Sequence, residues 1–257
     1  MTKARQAASG PPAAKPPAGF LPLQHPRNVQ YPPTGDDWRH EIKLDGYRMQ
    51  LRVAGRGASW YSRNGNDWTA RLPDFAASAL ALGEGTFDGE LCALKGDGSP
   101  DFSALRSYMV SRQTGRIMGE LTFIVFDLLA DASGDLRGKP LEERRKRLQT
   151  MLGYEPASIR LASALPGHDG RALLDAACRL GLEGIVSKGL SSLYEGGERR
   201  PDTWVKAKCR PSQEVVIGGW EMNGVKFRSL LVACGRASFS NMSKRSGRAL
   251  ARPSWRI

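Results

Sequence analysis

The sequence predicts an α+β fold of antiparallel sheets with flanking helices, and three observations carry that expectation. Strand-like and helix-like signals alternate from Trp38 to about residue 210, with no internal repeat. The 257 residues suffice for one large domain and a small appendage. A hydrophobic share of 40% and a charged share of 25% match a soluble globular chain. No apolar run approaches the ~20 residues that span a bilayer, so no membrane partner is expected.

Taken in order, the first 33 residues hold half of the 16 prolines, with alanine and a few basic side chains. Such a segment buries too little apolar surface to offset its ordering entropy, so residues 1–19 are expected to form a disordered basic tail. It lacks the apolar core of a signal peptide, and its prolines break the amphipathic helix of a transit peptide. Residues 20–210 form the expected main domain. "HEIKL" and "YRMQLRV" flank Asp45-Gly46 and predict a β-hairpin. In its second strand Tyr47, Met49, Leu51 and Val53 share one face, and Arg48, Gln50 and Arg52 the other. "ASWYS" predicts a strand, "LPDFAASALAL" a helix, "TFDGELCAL" a strand and "DFSALRSYM" a short helix. "LTFIVFDLLA" is apolar enough for a central, buried strand. "LEERRKRLQTML" and "GRALLDAACRLGL" have helical amphipathicity. "EGIVSKG" and "TWVKAKC" predict two further strands, separated by the polar loop "LSSLYEGGERRPD". Residues 211–257 are expected to hold a small β-module, with strands at "EVVIGGW" and "FRSLLVAC", and then an irregular Ser/Arg-rich terminus.

Charge is unevenly placed on a chain of net charge +12. Residues 36–196 carry 21 basic and 22 acidic side chains, whereas residues 197–257 carry 13 and 4. A basic end on a neutral body is the footprint of phosphate-backbone binding, because Lys and Arg contacts release condensed counterions. Cys92, Cys178, Cys209 and Cys234 lie far apart and the three histidines are scattered. Neither a zinc site nor a disulfide framework is expected, which suits a reduced, cytoplasmic setting.

Strand geometry collects the chemistry. Glu41 and Lys43 point the same way beside the turn, and Lys206 and Lys208 share a face with Trp204. Two adjacent lysines repel, and an anion between them turns that cost into binding. Asp88 and Glu90 share a face in "FDGEL", and Glu183 opens "EGIVSK". With Arg48 and Arg63, the set mixes cations that steady phosphates with carboxylates that hold a divalent metal, the equipment of phosphoryl or nucleotidyl transfer. No P-loop and no G-x-S-x-G elbow is present. A lysine that attacks phosphorus itself is then the attractive option, since neighbouring cations can free an amine lone pair.

In order and spacing these motifs resemble the covalent nucleotidyltransferases, specifically the ATP-dependent DNA ligases and, among them, the ligase domain of bacterial end-joining ligases. "EIKLDGYR" (41–48) is similar to the family's nucleophile motif. "SRNG" (62–65), "FDGEL" (87–91), "FIVFDLL" (123–129), "EGIVSK" (183–188) and "WVKAK" (204–208) resemble the five that follow. The resemblance covers about residues 20–220 and implies an adenylation domain followed by an OB-like β-module. It implies that Lys43 attacks the α-phosphate of ATP and becomes lysyl-AMP, with Asp45 in the catalytic set. Glu41 would recognise adenine and Phe126 stack on it, while Arg48 and Arg63 contact ribose or phosphates and Glu90 the ribose. Glu183, with Glu90, would hold Mg²⁺ or Mn²⁺, and Lys206 and Lys208 grip the α-phosphate. The implied substrate is nicked or broken double-stranded DNA, handled by a monomer near the bacterial nucleoid, with end-binding or polymerase proteins as partners.

The family's text fades after about Cys234, and 49 residues follow Lys208 where a full OB-fold is usual. The expectation is a truncated OB-like module, an impaired lysine-adenylylation step and an intact nucleotide pocket. An RNA ligase or capping guanylyltransferase shares the K-x-D-G chemistry, but glutamate two residues before the lysine argues against capping. An NAD-dependent ligase lacks its four-cysteine zinc module here. A catalytically weakened DNA-binding remnant or accessory subunit is the reading from another class.

Overall fold

The computed structural model describes residues 17–110, 120–153, 158–209 and 215–234. The elements run β1 (Arg27–Val29), β2 (Trp38–Ile42), β3 (Tyr47–Ala54), β4 (Gly57–Ser62), α1 (Ala76–Ala81), β5 (Gly85–Leu94), α2 (Phe102–Val110), β6 (Glu120–Asp131) and β7 (Gly134–Asp135). They continue with α3 (Leu141–Met151), β8 (Ile159–Leu161), β9 (Ala164–Pro166), α4 (Gly170–Arg179), β10 (Gly184–Gly189), β11 (Trp204–Lys208), β12 (Val215–Asn223) and β13 (Lys226–Cys234). The chain divides into two units, residues 1–209 and residues 210–257.

Two sheets build the first unit. One runs β1-β11-β10-β2-β9 and the other β4-β3-β5-β6-β7, with β8 paired to β6. Pairing is antiparallel except at β1–β11 and β6–β8. The fold is therefore α+β, as the alternation predicts.

The predicted hairpin at Asp45-Gly46 does not form. β2 pairs with β10 and β9, whereas β3 pairs with β4 and β5. Residues 43–46 thus carry the chain from one sheet to the other. Gly46 fits because a Cβ there would lie 2.3 Å from the carbonyl oxygen of Leu91. A β-hairpin does occur one connection later, where Ala54 pairs with Gly57. The alternation in β3 holds: Met49, Leu51 and Val53 are core residues packed with Trp60, Phe75 and Phe123. Gln50 on the opposite face is buried as well. Its amide exchanges hydrogen bonds of 2.9 and 2.8 Å with the backbone of Leu21, so the segment before β1 is strapped onto the sheet.

Helix α3 carries Glu142 and Glu143 in its first turn, where they favour the helix dipole. Its Arg144 is fully buried and makes a bidentate pair with Asp127 of β6 at 2.8 Å, also donating to the carbonyls of Lys139 and Ser192. The cysteine expectation needs correction: Cys178 of α4 is disulfide-bonded to Cys209, just past β11. Their separation of 31 positions hid the pair from spacing rules.

In the second unit β12 and β13 form an antiparallel hairpin with two register shifts. The irregular terminus expected after Cys234 and most of the predicted tail, residues 1–16, lie outside the described residues. Among the described residues no helix is long and apolar enough to cross a membrane.

Candidate active site

The sheet-to-sheet connection places Lys43. Its backbone N–H donates to Gly184 O at 2.8 Å, which fastens the connection to the start of β10. Gly184 has φ +142°, and a Cβ there would sit 2.2 Å from Ala207 O. Only glycine lets β10 start this close to β11, and this sets Glu183 between two lysines. Lys43 Nζ donates to Glu183 Oε2 at 2.5 Å, and Lys208 Nζ lies 2.8 Å from Glu183 Oε1. Burial alone would raise the Glu183 pKa, but the hydrogen bonds from Lys208 and Lys43 outweigh it and hold the carboxyl below its usual range. Burial, then the charges of Lys43 and Lys208, lower the pKa of Lys206. Asp45 is raised by burial and by Glu183, against Lys43 and Lys208.

A second charged cluster surrounds Phe126 of β6. The Lys188 ammonium stands 4.2 Å from the centre of the Phe126 ring and 4.6 Å from that of Trp204. It lies 2.7 Å from Glu41 Oε2 as an ion pair, off the angle of a good hydrogen bond. Burial lowers the Lys188 pKa, with Glu41 opposing. Arg145 of α3 donates to Glu41 Oε1 at 2.8 Å and also to Ala162 O. Arg48, opposite Glu90 in the β3–β5 register, makes a bidentate pair with the fully buried Asp88 at 2.9 and 2.6 Å. Its guanidinium carbon lies 5.0 Å above the Phe126 ring. Burial disfavours the Arg48 charge, but Asp88 more than compensates and the proton is held more tightly than usual. Burial pushes the Glu90 carboxyl up to about 7 against the pull of Arg48 and Lys43.

Both clusters line one cavity of ≈ 610 Å³, a volume typical of small-molecule sites. Glu41, Lys43, Asp45, Arg48, Arg63, Glu90, Phe126, Glu183, Lys206 and Lys208 all border it, so the ten residues given a role from the sequence are brought together. The sequence reading missed Lys188, Arg200 and His25, which line the same cavity, and Arg145, which holds Glu41; Asp88, which it grouped with Glu90, is buried behind the cavity and holds Arg48. Lys188 was legible, because it ends the quoted "EGIVSK" on a strand already assigned. Arg145 was not, since it reaches Glu41 across 104 positions. Burial and the charges of Arg63, Arg48 and Arg200 lower His25 to about 4, so its imidazole is neutral at pH 7.

Among the described residues no group of three His, Cys, Asp or Glu could hold a metal unaided. The donor set instead fits the habit of Mg²⁺, which takes one or two carboxylates and completes its shell with phosphate oxygens and water. A lysine amine beside a carboxylate and further lysines, in a cleft between two largely antiparallel sheets, is an arrangement suited to attack by an amine on a bound phosphate.

Known proteins agree. Residues 29–208 match the family model described as ATP dependent DNA ligase domain. The chain is 42% identical over 196 residues to the multifunctional non-homologous end joining protein LigD of Pseudomonas aeruginosa, covering 75% of this chain and 22% of that protein. It is 36% identical over 185 residues to the corresponding DNA repair protein LigD of Mycobacterium tuberculosis, covering 71% and 23%. The chain thus spans less than a quarter of the length of these relatives. The solved ligase domain of M. tuberculosis LigD superposes with a TM-score of 0.64 at 32% identity, over 82% of this chain and 68% of that one. A mycobacterial DNA ligase D complexed with ATP and MES gives 0.63 at 32%, over 82% and 66%. This chain belongs to the ATP-dependent DNA ligase domain family.

Proposed function

We propose that this chain is an ATP-dependent DNA ligase that seals nicks or breaks in double-stranded DNA during repair. The observation that carries the reading is Glu183 shared between Lys43 and Lys208 inside the cavity. The attacking amine must be neutral, so the reaction begins when Lys43 gives a proton to water and leaves its contact with Glu183. Lys43 Nζ then bonds to the α-phosphorus of ATP, and the bond to pyrophosphate breaks. Lys206 and Lys208 hold the α-phosphate as charge builds on its oxygens. In the second step a 5′-phosphate oxygen of DNA takes the AMP from Lys43. In the third, a 3′-hydroxyl attacks that activated phosphate, joins the strand and expels AMP.

Phe126 offers its ring to adenine. Glu41 Oε1 spends one lone pair on Arg145 and Oε2 faces Lys188 as an ion pair, which leaves an acceptor for the exocyclic amine. Arg48 and Arg63 face ribose or phosphates, and Glu90 the ribose hydroxyls. When bound, Mg²⁺ or Mn²⁺ neutralises phosphate charge, and Glu183 and Glu90 are the carboxylates that would hold it.

The test is nick sealing with ATP and divalent metal by the wild-type chain and by Lys43→Ala. Sealing by wild type alone is expected. Equal binding of nicked DNA with sealing by neither would turn the assignment to a DNA-binding accessory protein.

A further inference from the structure

Arg48 does not hold its place alone. Asp88, which clamps it, is fully buried and accepts a third hydrogen bond, from Tyr194 Oη to Oδ2 at 2.6 Å. Tyr194 sits in the loop between β10 and β11, 106 positions from Asp88, and is itself buried. Its ring packs edge-on against Trp204 at 5.8 Å, with the Arg144 guanidinium carbon 5.7 Å from its centre. Its hydroxyl oxygen accepts from the backbone N–H of Gln24 at 3.1 Å. The segment before β1 also accepts at Leu23 O from Gly197 N–H at 3.1 Å, so the Tyr194 loop is tied down on both sides. A tyrosine hydroxyl has one proton to give, and with Gln24 donating to it that proton goes to Asp88. The Asp88 carboxylate is then fixed by Tyr194 on one side and spends its remaining capacity on the Arg48 fork, and a bidentate fork sets the guanidinium plane. Arg48 lines the nucleotide cavity beside Phe126, so its plane decides what a bound nucleotide meets.

We propose that Tyr194 is a positioning residue for the ligase reaction: through Asp88 it aims Arg48 at the bound nucleotide. Through Tyr194, which does not border the cavity, the loop "LSSLYEGGERRPD" that links the two motif strands thereby takes part in nucleotide recognition. Burial raises the Tyr194 pKa well above that of free tyrosine, with Asp88 adding to it, so the donor persists across the working pH range. The inference rests on the ligase reading of the cavity.

The experiment measures AMP transfer to Lys43 as a function of ATP concentration in the full chain, for wild type, Tyr194→Phe, Arg48→Ala and the double variant. Tyr194→Phe keeps the ring on Trp204 and removes only the hydroxyl. An increase of about tenfold in KM for ATP is expected, with a smaller change in kcat; the unfolding midpoint falls because the Gln24 N–H loses its acceptor, but the chain stays folded at the assay temperature. In the Arg48→Ala background the same substitution should change KM by less than twofold, because nothing is left to aim. Full additivity of the two substitutions, or wild-type kinetics in Tyr194→Phe, overturns the inference while leaving the ligase reading intact. Equilibrium binding of a non-hydrolysable ATP analogue provides a second readout that does not need the chemical step, with the same fold-changes expected. A wild-type chain that neither binds the analogue nor takes up AMP contradicts the ligase reading itself, and the inference with it.

Discussion

Glu183 accepts from Lys43 and Lys208 at once, and that sharing keeps the proposed nucleophile as an ion pair until nucleotide competes for the same cations. His25 gives a probe of the same cavity. Its folded pKa of about 4 lies below the unfolded value near 6.5. It therefore contributes stability that is present above pH 6.5 and lost as pH falls toward 4. Urea unfolding between these limits should fall more steeply for wild type than for His25→Gln; parallel profiles would contradict the assignment. A polyanion in the cavity opposes the arginine charges, so adding ATP should raise the His25 pKa measured by NMR. Most of the ten residues were legible because their types and strand positions were informative, whereas Asp45 and Phe126 took their roles from the resemblance to the ligase motifs. His25 and Tyr194 were not legible, because the partners that give them meaning lie on remote segments.

At the level of elements, α3 meets β6 through a buried Arg144–Asp127 pair. Removing one partner strands a buried charge, so Arg144→Met should cost about 3–5 kcal/mol in denaturant unfolding. The double variant Asp127→Leu, Arg144→Met should cost less than the single one; an equal or larger cost would show that packing, not charge, dominates. Reducing Cys178–Cys209 opens a ring spanning 31 positions and should lower unfolding free energy by about 2–4 kcal/mol. Most elements were readable because β3, β5, β6, β10 and β11 alternate or run apolar as buried strands do. The Asp45-Gly46 turn misled because local turn chemistry does not say whether the flanking strands pair with each other. Here β3 finds a ten-residue partner in β5 where β2 has only five residues, and β2 pairs along its whole length with β10.

In the first unit two sheets line one cavity, with Lys43 and Asp45 where the chain passes between the sheets and Glu183, Lys206 and Lys208 at β10 and β11. In the proposed function the net charge of +12 serves DNA binding rather than ATP binding. Binding to nicked duplex should weaken steeply with salt, as counterion release requires, while ATP-dependent labelling of the free chain should respond far less. A salt-independent DNA affinity would contradict an electrostatic footprint. The most direct test of the account is mass spectrometry of the chain after incubation with ATP and Mg²⁺ or Mn²⁺, followed by peptide mapping. The account predicts one AMP adduct, on Lys43 and lost in Lys43→Ala. An adduct on another lysine, or none in a chain that still seals nicks with ATP, would contradict it.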